Sequence, residues 1–253
     1  VPWWGINEII ETIGTIVMDT MGFIPNVSFF SIVFFFLKLL REFTIALNCF
    51  ASLMNANFLK KIQVLYKKSD QLLKSGEFGQ GLWPLDPMVG QFLMTLIQTY
   101  HLRNGVEIGA GVGYSSGWLA AGFQSAKGNL VSLEYFFPKV RQWEKHMEYL
   151  FGKQFEQTVQ IAPADFRKWI RHAGRRKIDF LFLDHRKNEY LESLKLFLPY
   201  LKQGAFICAD NVTSHPKECQ EYLEFVRNDS RFETVTMEIG QGLELSRYLP
   251  VKR

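Results

Sequence analysis

Two short strings in this 253-residue chain place oxygen donors where parallel strands would end. The first is Phe180-Leu181-Phe182-Leu183-Asp184-His185-Arg186-Lys187-Asn188-Glu189-Tyr190, an apolar run that breaks into polar residues at Asp184. The second is Ile207-Cys208-Ala209-Asp210-Asn211. Adjacent parallel strands would bring both ends to one edge of a sheet. Asp184, Asp210 and Asn211 then offer three hard oxygen ligands suited to Mg2+, with Ca2+ or Mn2+ as alternatives. Such a cation keeps coordination positions for water and substrate and acts as a Lewis acid. Taken one at a time, the same residues read more plainly. Asp210-Asn211 resembles a helix cap after a strand, and Lys187 a solvated lysine opening a helix.

A third string, Val106-Glu107-Ile108-Gly109-Ala110-Gly111-Val112-Gly113-Tyr114-Ser115, ends a strand and opens a helix. Glycines there let the backbone turn sharply and approach a ligand closely, and ligands of open α/β sheets sit at the carboxyl ends of the strands. The spacing is GxGxG rather than GxGxxG, and Glu107 stands two positions before the first glycine. Both details favour S-adenosylmethionine over a dinucleotide. Glu134, at the end of the next strand, can accept hydrogen bonds from both ribose hydroxyls of either cofactor. Gly111 and Glu134 must then lie within about 15 Å of each other, because one nucleoside touches both.

These strings also carry a family resemblance. From Trp83 to Tyr248 the chain resembles the class I S-adenosylmethionine-dependent O-methyltransferases of the catechol and caffeoyl-CoA type. VEIGAGVGYSS, FLFLDHRKNEY, LPYLKQGAFICADN and QGLELSRY match in order and spacing, and the D-H-x-K string is similar to the catechol enzyme in particular. The resemblance implies that Asp184, Asp210 and Asn211 bind the metal and that Lys187 is the general base. It also implies that Leu85, Glu107, Gly109, Gly111, Gly113, Ser115, Glu134, Asp165 and His185 line the cofactor site. The implied reaction moves a methyl group from S-adenosylmethionine to a hydroxyl oxygen of a small catechol-like or vicinal-diol acceptor. A tRNA methyltransferase and a non-catalytic cofactor-binding subunit are the alternatives. Three departures concern the acceptor. Val235 falls where the catechol enzyme has a glutamate that holds the second hydroxyl, with Glu238 close behind. Val212-Thr213-Ser214-His215-Pro216 replaces a tryptophan-glycine loop. The helical extension before Lys60 is longer than in the minimal enzyme.

The elements that must position these residues follow from the pattern. GVEIG, LVSLE, KIDFLFLD and GAFICAD read as strands, with helical patterns between them such as Lys187 to Leu201. Phe232 to Leu249 reads as a hairpin turning at Gly240-Gln241-Gly242. The expected fold is α/β: a Rossmann-like, doubly wound, seven-stranded sheet, last strand antiparallel, preceded by helices. Residues 1–75 are assigned to the helical extension and 76–253 to the cofactor-binding domain. In the extension, Ile6, Ile9, Ile10, Ile13 and Val17 share one helical face. Val27 to Leu40 is apolar nearly all round. Thr44, Asn48, Ser52 and Asn55 form a neutral polar stripe.

That extension is expected to shape the acceptor pocket or a homodimer interface. The uncharged run Thr20 to Leu37 is interrupted by Gly22, Pro25 and Asn26, which argues against a span. Trp3, Trp4 and the Phe-rich N-terminal region leave contact with a membrane surface as an alternative. Hydrophobic residues make up 47% of the chain and the net charge is only +4, so a folded domain is required and an anionic partner is not. Three cysteines without CxxC spacing fit reduced thiols and a cytoplasmic protein. The basic run Arg167, Lys168, Arg171, Arg175, Arg176 and Lys177 leaves nucleic acid as a less favoured partner. It is expected at the sheet edge opposite the chemistry. His146, His172 and His215 have no partner at ligand spacing and read as surface or core.

Overall fold

The computed structural model describes residues 56–76, 78, 83–153, 155–174 and 177–249. The helical faces and polar stripe expected before residue 56 lie outside the described residues, as do Arg175 and Arg176.

Seven strands form one sheet in the order β3-β2-β1-β4-β5-β7-β6. They are β1 (Asn104–Ile108), β2 (Asn129–Leu133), β3 (Val159–Ala162), β4 (Ile178–Leu183), β5 (Leu201–Ala209), β6 (Phe232–Met237) and β7 (Leu243–Tyr248). The helices are α1 (Ala56–Ser75), α2 (Pro87–Thr99), α3 (Tyr114–Ala126), α4 (Phe137–Phe151), α5 (Phe166–Ile170), α6 (Tyr190–Phe197) and α7 (Pro216–Asn228). β1 to β5 pair in parallel, and β7 runs antiparallel between β5 and β6. This is the expected doubly wound sheet with its last strand antiparallel.

The central strands are apolar because both of their faces are covered. All six positions of β4 are buried, as a parallel strand between two helical layers requires. Val106, Ile108, Val131, Leu133, Leu181 and Ile207 pack with residues of α5, α6 and α7. On the opposite face Phe123 of α3 meets Phe180 of β4 edge-on at 5.9 Å. α1 buries Ile62 and Leu65 and leaves Lys60, Lys67 and Lys74 exposed. Its Phe58 ring lies 5.8 Å from both Trp118 of α3 and Phe151 of α4. Among the described residues no helix is long and apolar enough to cross a membrane.

Two local expectations are corrected. The helix expected over Lys187 to Leu201 is interrupted. A 3-10 turn (Lys187–Glu189) precedes α6, a second (Leu198–Tyr200) follows it, and Leu201 already opens β5. Pro199, which lacks an N–H, stands where the helix would have continued. The basic run does not lie wholly on the edge away from the chemistry. Arg167 stands at the start of α5, just past the carboxyl end of β3.

Candidate active site

β1 and β4 are neighbours whose crossovers leave in opposite directions, and the crevice at such a switch point is where open α/β sheets bind ligands. The glycine loop fills one side of it. Gly109 and Ala110 both donate their N–H to the Leu133 carbonyl at 3.0 Å, and Gly111 donates to Glu134 Oε2 at 3.0 Å. The loop and the end of β2 are therefore in direct contact, far inside the 15 Å bound set above. Gly109 has φ +95° and packs against the Asp184–His185 peptide; a Cβ there would lie 2.4 Å from the Asp184 carbonyl oxygen. This one glycine joins the loop to the end of β4.

The two glutamates read from sequence have different surroundings. Glu107 is fully buried and accepts hydrogen bonds from the hydroxyls of Ser115, Ser116 and Ser132, each at 2.5 Å. Burial raises its pKa despite these donors. Ser116 in turn accepts from Trp143 Nε1 at 2.7 Å. Glu134 is also buried, 6% exposed, with Oε2 on the Gly111 amide and Oε1 on the Phe136 amide at 2.9 Å. Each of its oxygens keeps a lone pair for a further donor. Leu85 is buried one residue before Asp86, whose side chain caps α2 through the Met88 amide at 2.7 Å. Asp165 caps α5 through the Arg167 amide at 2.8 Å. Arg167 is held by Asp165, Glu189 and Glu192 at 3.2, 3.2 and 2.5 Å.

At the other side of the crevice the ends of β4 and β5 are in register. Leu183 pairs with Ala209, and Asp210 N donates to the Leu183 carbonyl at 3.0 Å. Asp184 and Asp210 are thereby neighbours. Lys187 Nζ donates to Asp184 Oδ1 at 2.8 Å and to the Tyr190 hydroxyl at 2.9 Å. That hydroxyl donates to the Asp210 carbonyl at 3.0 Å. Asp210 is 3% exposed, and its Oδ1 has no hydrogen-bond partner. Burial first, and the Asp184 charge second, push its pKa well above the ordinary carboxylate range, with Lys187 opposing. Asn211 takes φ +62°, which asparagine tolerates better than most residues.

This donor set fits a hard divalent cation. A buried carboxylate oxygen without a partner is costly unless something positive meets it. Asp184, Asp210 and Asn211 supply two carboxylates and an amide, the sparse oxygen set that Mg2+ accepts while retaining waters. Among the described residues no cluster of three or more His, Cys, Asp or Glu side chains offers a richer site. His185 follows Asp184 with both ring nitrogens unpartnered, between the rings of Phe166 (5.2 Å) and Tyr190 (5.1 Å). Burial lowers its pKa to about 3; Lys187 and Arg167 push the same way, and the Glu189 backbone only partly opposes them. It is a neutral imidazole, able to donate from one nitrogen and accept on the other.

Sequence reasoning passed over several residues that shape this site. Tyr190 stood in a quoted string but received no role, although its spacing of three from Lys187 is the helical signal for contact. His146, read as surface or core, is 4% exposed, and its Nδ1 lies 2.7 Å from the Val112 carbonyl of the glycine loop. Ser116 and Ser132 carried no signal, because their meeting with Glu107 depends on strand register.

A family model described as a methyltransferase domain matches residues 106–212, from β1 to just past Asn211. A catechol O-methyltransferase of Niastella koreensis is 28% identical over 146 residues, covering 57% of this chain and 65% of that protein. Catechol O-methyltransferase B of Danio rerio is 34% identical over 85 residues, covering 31% of each. The matched segments thus span less than two thirds of either relative. Among solved structures, an O-methyltransferase from Bacillus cereus in complex with S-adenosylhomocysteine superposes with a TM-score of 0.62 at 19% identity. It covers 77% of this chain and 91% of that one, and at this identity the likeness establishes the fold.

Proposed function

We propose that this chain, which carries a class I methyltransferase domain resembling the catechol and caffeoyl-CoA O-methyltransferases, methylates a hydroxyl oxygen of a small catechol-like or vicinal-diol acceptor with the help of a divalent cation. One observation carries the reading: Asp184, Lys187 and Asp210 meet at the ends of two adjacent strands, against the glycine loop. S-adenosylmethionine, when bound, supplies an electrophilic methyl group on its sulfonium. A divalent cation held by Asp184, Asp210 and Asn211 would lower the pKa of an acceptor hydroxyl as a Lewis acid.

The chain's own residues account for the rest. Glu134 would accept from the ribose hydroxyls and hold the nucleoside at the end of β2. The loop from Gly109 to Gly113 brings the backbone close to the cofactor. Lys187 Nζ would take the proton that the acceptor hydroxyl gives up. Holding both partners in line is worth more than the proton transfer alone.

A small acceptor is favoured over RNA, because Arg167, the first residue of the basic run, is already held by three carboxylates. The test is methyl transfer to a panel of catechols and vicinal diols, with and without EDTA. Turnover should vanish in EDTA and return with Mg2+, and Asp210→Ala should be inactive. Methylation that persists in EDTA and in Asp210→Ala would overturn the metal-assisted mechanism.

A further inference from the structure

Tyr190 is fully buried on the first turn of α6, three residues after Lys187. Its ring is packed between His185 at 5.1 Å and Tyr222 at 5.7 Å. Its hydroxyl has one hydrogen. A carbonyl oxygen cannot donate, so that hydrogen must be the one directed at the Asp210 carbonyl, 3.0 Å away. Toward Lys187 Nζ, at 2.9 Å, the phenol oxygen can therefore only accept.

This fixes the geometry of the amine. Lys187 Nζ donates to Asp184 Oδ1 at 2.8 Å and to the Tyr190 phenol oxygen at 2.9 Å, and two acceptors in different directions fix where it sits. Lys187 is only 13% exposed, so little room is left for other rotamers. The phenol also ties the position of the amine to the end of β5 through the Asp210 backbone.

We infer that Tyr190 is a positioning residue for methyl transfer: with Asp184 it holds Lys187 Nζ at the ends of β4 and β5, where the acceptor hydroxyl must arrive. The inference rests on the O-methyltransferase reading above. It differs from a packing role in what Tyr190→Phe should change. That variant keeps the buried ring and removes only the oxygen, so one N–H loses its acceptor and the amine can turn.

The test compares the wild-type chain, Tyr190→Phe, Lys187→Met and the double variant. Steady-state rates would be measured on acceptors of graded hydroxyl acidity, from catechol to nitrocatechols, and S-adenosylhomocysteine binding by calorimetry. Tyr190→Phe should lower kcat on catechol by about 10- to 100-fold, part of what a general base contributes. KM and S-adenosylhomocysteine affinity should stay at wild-type values. The loss should shrink on nitrocatechols, which arrive already ionised, and should disappear in the Lys187→Met background. A wild-type kcat in Tyr190→Phe, or an equal further loss in the Lys187→Met background, would overturn the positioning role. Absence of turnover by the wild-type protein on every acceptor would instead overturn the O-methyltransferase reading, and this inference with it.

Discussion

Glu107 and Glu134 show how far a residue's role can be read from its place in a motif. Glu107 stands two residues before the first glycine and Glu134 at the end of the next strand, and both were expected in the cofactor site. In the fold both are buried, but Glu134 accepts from the Gly111 and Phe136 amides, while both oxygens of Glu107 are taken by serine hydroxyls. The partner Ser132 is brought to Glu107 by the parallel register of β1 and β2, which the sequence does not specify. By contrast the meeting of Asp184 and Asp210 was legible, because each marks the abrupt end of an apolar strand. The two glutamates should therefore fail differently. Glu107→Gln places an amide NH2 among hydroxyl donors and should lower stability by about 1–3 kcal/mol in urea unfolding, the cost of an unmatched buried polar group. Glu134→Ala frees the Gly111 and Phe136 amides and so also lowers stability, but in addition it should weaken S-adenosylhomocysteine binding by about 1–3 kcal/mol through lost ribose hydrogen bonds. Unchanged affinity in a folded Glu134→Ala protein would remove this residue from the cofactor site.

The glycine loop is held as an element from two sides. β2 holds it through the Leu133 carbonyl and Glu134; α4 holds it through His146. His146 Nδ1 must carry the hydrogen that meets the Val112 carbonyl, so Nε2, 2.6 Å from Gln142 Nε2, is the acceptor. Protonation would put a second hydrogen where Gln142 already donates. Burial, with smaller contributions from Lys68 and Lys145, lowers the His146 pKa to about 4 against the Val112 hydrogen bond. A histidine depressed in the folded state contributes stability above its unfolded pKa near 6.5 and loses it as pH falls toward 4. At about 1.4 kcal/mol per unit, the loss across that window is on the order of 3 kcal/mol. His146→Asn should be less stable at pH 7 and should flatten the dependence between pH 6.5 and 4, as thermal melts at fixed ionic strength would record. An undiminished slope would place the acid sensitivity elsewhere, with His185 the next candidate. None of this was visible in the pattern of α4, where His146 falls on an apolar face and reads as packing.

At the scale of the whole domain, the alternation of apolar runs was enough to give the sheet, because central parallel strands must be apolar on both faces. β3, whose four residues VQIA include one exposed position, did not stand out. The insertion of β7 between β5 and β6 could not be read from a hairpin alone. That insertion matters to the site. The hairpin turn offers the Gln241 and Gly242 carbonyls to the amides of Val212, Thr213 and Ser214, and so holds the loop that follows Asn211. Asp210 and Asn211, which follow β5, and the final hairpin are thus one mechanical unit, while the glycine loop is hydrogen-bonded mainly to β2 and α4. Two ligands that bind only the folded chain should then stabilise it independently. At 100 times Kd each contributes about 2.7 kcal/mol, or about 5–10 °C in Tm for a domain of this size. S-adenosylhomocysteine and Mg2+ should therefore raise the Tm separately in scanning calorimetry. Asp210→Ala should abolish the Mg2+ shift and keep the S-adenosylhomocysteine shift, whereas Glu134→Ala should shrink only the latter. Loss of both shifts in either variant would show that the two halves of the crevice fold as one unit and that the separation argued from their hydrogen bonds is wrong.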